Sequence, residues 1–165
     1  MRWLVTAALL LLVLALQATA APRIALFDAV PDFLIILVVQ LALLCPELQG
    51  VLWSWAVGFL ADLRWGNLVG VMALTYGLIA LVICGIRRQI FAGHILTRLL
   101  LVVVADFLQH VAVMFSQIIR GQKLYFLLFW RQALLGVVYT AAVAVVLLPL
   151  LSLVLGRLYR ERRAV

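Results

Sequence analysis

The chain alternates long apolar runs with short polar punctuation. Six runs stand out, at residues 3–21, 31–45, 48–63, 67–86, 97–119 and 132–156. An apolar run of about 20 residues, rising ~1.5 Å per residue, predicts a helix that crosses the ~30 Å hydrocarbon core of a bilayer. The first, fourth, fifth and sixth runs meet that length. The second and third are shorter, and Pro46-Glu47 divides them. They read either as two short tilted crossings inside a bundle or as a re-entrant hairpin, and both routes return the chain to the same side. The first run also fits a secretory signal, with Arg2 ahead of apolar Leu9 to Leu16 and an Ala18-Thr19-Ala20 cleavage pattern. Retaining it is the preferred reading, because both termini and the basic loops then share one side. The predicted architecture is an all-α integral membrane protein. It is a compact bundle of six transmembrane helices (five if the first is removed) forming a single multi-pass domain over residues 1–165, with both termini cytoplasmic.

Composition supports the class. Hydrophobic residues make up 68% of the chain and charged residues 12%, a balance that no soluble core of this size would hide. No hydrophilic run is long enough for a soluble catalytic or receptor domain. The net charge of +7 flanks the apolar runs instead of forming a patch. It therefore signals topology and contact with anionic lipid, and excludes nucleic acid as a partner. With six crossings, eight of the thirteen lysines and arginines fall on the side of the termini: Arg2, Arg87, Arg88, Arg98, Arg157, Arg160, Arg162 and Arg163. The positive-inside rule places that side in the cytoplasm. Cys45 and Cys84 stand alone in apolar surroundings, so neither a disulfide nor a metal site is expected, and no cofactor motif is present.

Within the fourth run, Gly66, Gly70, Ala73, Gly77, Ala80 and Cys84 follow at intervals of three and four residues and line one helical face. Small residues let membrane helices approach closely. Packing inside the same bundle is the first reading, and docking of another protein's helix the second. Asp106 and His110 are four apart near the middle of the fifth run, with Gln109 beside them. Ionisable groups at that depth need protein partners. The pair reads as a structural or partner contact ahead of an acid–base couple, since no nucleophile or third catalytic group accompanies it. Asp62 closes the third run one turn after Gly58. An acid at a helix C-terminus opposes the macrodipole, so helix electrostatics do not explain its place, and a specific contact is expected. Otherwise it would be solvated or loosely paired with Arg64. Glu47 follows Pro46 as a capping or turn residue. Trp53 and Trp55 are expected at the lipid or the interface.

The stretch PDFLIILVVQLALLCPELQGVLWSWAVGFLADLRWGNLVGVMAL carries a specific pattern. Pro31-Asp32 opens a helix, Pro46-Glu47 makes a turn followed by Gly50, then come Gly58-x-x-x-Asp62 and Gly66-x-x-x-Gly70. This pattern resembles the MreD family of rod shape-determining proteins. The resemblance implies a non-enzymatic scaffold in the bacterial inner membrane that works with an MreC-like protein. That pair would couple MreB filaments to the transpeptidase PBP2 and the glycosyltransferase RodA, and so to lateral peptidoglycan synthesis. A compact six-helix substrate-binding subunit of an energy-coupling-factor vitamin transporter is the alternative. It is disfavoured because the first run lacks an A-x-x-x-A pair.

Overall fold

The computed structural model describes residues 2–24, 30–65, 70–87, 94–121 and 126–159. Each apolar run becomes a helix, and no strand occurs among the described residues. Helix α1 spans Arg2–Thr19, and a 3-10 turn at Ala21–Ile24 follows it. The remaining helices are α2 (Phe33–Leu44), α3 (Glu47–Trp65), α4 (Val71–Ile86), α5 (Ile95–Ile119) and α6 (Phe126–Tyr159). The boundaries move most in α6. It begins at Phe126 and carries Arg131 inside the helix, in a stretch the sequence pattern assigns to a polar loop. Two segments, Ile95–Ile119 and Phe129–Gly156, are long and apolar enough to cross a membrane unaided.

Helix α2 is the axis of the bundle. Eleven of its twelve residues are buried, and it touches α1, α3, α4, α5 and α6. The cause lies in its sequence, which is apolar on every face and so has none to offer to water. At about 18 Å it is too short to cross a bilayer alone. Its ends therefore stop inside the protein, where their unpaired backbone groups need protein partners. Its single polar side chain, Gln40, is fully buried and donates to the Leu148 carbonyl at 3.1 Å, next to Pro149 of α6.

Helices α3 and α4 form an antiparallel hairpin at close range. A methyl group added at Gly58 would run into the Met72 carbonyl and come within 2.6 Å of the Ala73 Cα, so the backbones meet here only because no side chain intervenes. Gly50 does the same against α2, where a Cβ would stand 3.0 Å from the Leu41 carbonyl oxygen. Trp55 is half exposed and stacked on Phe59, as expected for a lipid-facing ring. Trp53 instead packs against Trp3 with ring centroids 5.4 Å apart and joins the edge of the core. Outer faces carry exposed leucine and valine, such as Leu78, Leu100, Val138 and Val146, which suits a surface solvated by lipid.

Candidate functional site

Asp62 lies in the last turn of α3 and is 1% exposed. Its carboxylate accepts backbone N–H groups from Gly70 (2.9 Å), Met72 (3.0 Å) and Ala73 (3.0 Å). These belong to the cap and first turn of α4, where orphan donors and the positive end of the macrodipole await an anion. The cap residue, Gly70, has φ +106° and no side chain. The capping oxygen that an Asp or Ser side chain would supply at that position comes instead from the preceding helix, as a carboxylate. Thus the charge that is unfavourable at the end of α3 is favourable at the start of α4. Bonding to Arg64 is not needed to account for it.

The opposite end of the hairpin is closed by a cation. Arg87, the residue that ends α4, donates to the Ala42 carbonyl at 3.2 Å and to the Cys45 carbonyl, both at the C-terminus of α2. Its second Nη lies 3.6 Å from the Glu47 carboxylate. The Cys84 thiol donates to the Ala42 carbonyl at 3.3 Å. Glu47 is therefore the first residue of α3, as a turn or capping role requires, and also an ion-pair partner across the hairpin.

A third knot lies at the start of α2. The Asp32 carboxylate caps its own helix, accepting from the Leu34 and Ile35 N–H groups at 2.9 and 3.2 Å. Its other oxygen accepts from Gln109 Nε2 at 2.7 Å and from the Tyr76 hydroxyl at 3.4 Å. The Asp32 N–H donates to Thr140 Oγ1 at 3.1 Å. Gln17 of α1 brackets the same turn, donating to the Pro31 carbonyl and accepting from the Phe33 N–H at 2.7 Å. One helix start is thereby held by side chains from α1, α4, α5 and α6.

Asp106 and His110 do come together. The imidazole Nδ1 is hydrogen-bonded to the Asp106 backbone carbonyl at 2.9 Å, and lies 3.6 Å from the carboxylate. Asp106 is fully buried, and among the described residues no hydrogen bond of good geometry reaches either of its carboxylate oxygens. The arrangement has no activated nucleophile. Among the described residues no group of histidine, cysteine, aspartate and glutamate is placed to hold a metal ion.

Comparison with known proteins now decides the family. The family model described as rod shape-determining protein MreD matches residues 1–159 of the chain. The chain belongs to the MreD family. Neither a curated protein sequence nor a solved structure matches significantly. MreD is a family of membrane proteins that determine cell shape, not a family of enzymes.

The MreD pattern seen in the sequence thus acquires a geometry. Pro31-Asp32 is the knot that gathers four helices, Pro46-Glu47 the turn held by Arg87, and Gly58-x-x-x-Asp62 a close contact followed by a cap. Gly66 lies outside the described residues. Of the small stripe, Ala73, Ala80 and Cys84 are buried within the bundle, and Gly77 stands 3.4 Å (from an added Cβ) from the Trp55 ring. Gly70 differs in kind. A Cβ there would meet nothing within 4 Å, so its glycine answers to the left-handed φ and not to packing. Asp32 carries one sequence signal, that of an N-cap. Arg87 carries another, that of a cation after a helix C-terminus. Neither signal identifies a distant partner.

Proposed function

We propose that this MreD protein is a membrane scaffold of the bacterial rod complex. It joins an MreC-like partner and, through it, MreB filaments and the wall-synthesis enzymes PBP2 and RodA. All six helices insert in the inner membrane, with both termini cytoplasmic. One observation supports this reading over a catalytic or carrier role: the acids Asp32, Glu47 and Asp62 are all engaged with helix termini or ion pairs inside the chain. Such side chains fix the shape of the molecule and leave its outer faces to define its contacts. The buried α2 also fills the centre of the bundle, which favours a scaffold over a vitamin-binding subunit. The test is complementation. Cells depleted of the native protein become spheres, the wild-type chain restores rods, and Asp62→Lys does not. Restoration of rods by Asp62→Lys at normal protein level, or purification with a stoichiometric vitamin, would overturn the reading.

A further inference from the structure

The inside of the bundle holds a surplus of hydrogen-bond acceptors. Asp106 and Gln109 are three residues apart on α5, so their side chains share a face. They are 0% and 7% exposed. Both Asp106 carboxylate oxygens and Gln109 Oε1 lack a hydrogen-bond partner of good geometry among the described residues. Gln109 Nε2 fixes the amide at the start of α2, where it donates to the Asp32 carboxylate at 2.7 Å. Asp32 and the Thr140 hydroxyl of α6 act on Asp106 from the neighbouring helices. Three buried oxygens on one helix face thus offer lone pairs to the same polar interior. A buried acceptor without a donor is costly, and a charged one more so.

The two carboxylates are compensated unequally. Asp32 takes the Leu34 and Ile35 N–H groups at the positive end of α2, together with Gln109 Nε2 and the Tyr76 hydroxyl. Asp106 has no such set. The groups that face it are Asp32 from α2, Tyr76 from α4, His110 from its own helix and the uncharged Thr140 from α6. Of these only His110 can become a cation, and its Nδ1 is hydrogen-bonded to the Asp106 backbone carbonyl at 2.9 Å. The cluster therefore lacks one positive charge that oxygen lone pairs can hold. Carboxylate and amide oxygens are the ligands of hard cations. A divalent ion would leave a surplus positive charge buried in apolar surroundings. A proton on Asp106 supplies one donor for three free acceptors, whereas a metal ion can face all three. We propose that Asp106 and Gln109 bind one sodium ion inside the bundle, with Thr140 beside it, tying α5 to α6 and to the start of α2.

The test uses the full-length chain purified in mild detergent and exchanged into choline chloride. Isothermal titration with sodium chloride at constant ionic strength is expected to show one site per chain. Sodium should also raise the unfolding midpoint of the wild type, because an ion that binds only the folded state stabilises it. Asp106→Asn keeps the shape of the side chain and should weaken binding about tenfold or more. Asp106→Leu should abolish it, while unfolding like the wild type in choline chloride, which separates loss of the site from loss of the fold. Gln109→Leu should also weaken binding. Infrared spectroscopy reads a protonated carboxyl directly, and any carboxylic-acid band that Asp106→Asn removes should vanish from the wild type at saturating sodium. No sodium-dependent heat or stabilisation, binding that survives Asp106→Leu, or an Asp106 carboxylic-acid band that persists at saturating sodium would each overturn the proposal.

Discussion

Asp62 and Asp106 are both buried aspartates on helices of one small bundle, and they are bound in opposite ways. Asp62 receives three backbone N–H groups from the first turn of α4. Asp106 receives no well-formed hydrogen bond among the described residues, and its nearest cationic candidate, His110, has turned its Nδ1 to a backbone carbonyl. Removal of the first leaves three N–H groups without their acceptor, two of them, those of Met72 and Ala73, buried. The second has no such set of backbone donors, and His110 Nδ1 lies 3.6 Å from its carboxylate. Burial alone therefore does not measure what an acid contributes; the donors around it do.

Asp62→Ala should show the largest loss, about 3–5 kcal/mol, because charge-assisted bonds go and buried donors stay. A detergent unfolding titration of the purified protein measures it, and a loss under about 1 kcal/mol would remove the contrast with Asp106. Gly58→Ala should come next. The added methyl meets α4 backbone, which cannot swing aside as a side chain would, so a loss of about 2–3 kcal/mol is expected in the same titration. Asp32→Ala should cost about 2 kcal/mol, since it loses an N-cap and frees Gln109 and Tyr76 at once. Coupling to Gln109→Ala in a double-mutant cycle would confirm that the two act together. Gly70→Ala should cost about 1 kcal/mol through its positive φ alone, and Gly70→Asn should recover part of that, which a packing role would not allow. At the small end, Asp106→Leu should change stability by less than about 1 kcal/mol or raise it. A loss above about 2 kcal/mol would show that Asp106 has donors after all.

Much of the fold was legible. The apolar run after Pro31-Asp32 was readable as a short helix, whereas its burial along nearly its whole length and the capping role of Asp32 came from the structure. The misfit of Asp62 with its own helix dipole was also visible, and a specific contact was expected from it. Who makes that contact was not. The donors are eight to eleven residues further on, across a turn whose shape the pattern does not encode. The knot at Asp32 was less legible still, because Tyr76, Gln109 and Thr140 lie 44, 77 and 108 residues away. Spacing rules describe one helix at a time, and nothing in them pairs side chains between helices.

The sequence by itself determined six helices, small residues suited to close helix packing, and the motif of a family. Those follow from local chemistry: apolar length, helical period and the limits of proline and glycine. Only the tertiary structure decided which helix each terminal charge serves. Asp62 caps α4 and not α3, Arg87 serves α2, and the start of α2 draws in four other helices, because a helix end inside a bundle takes its partner from whatever packing brings within hydrogen-bonding reach.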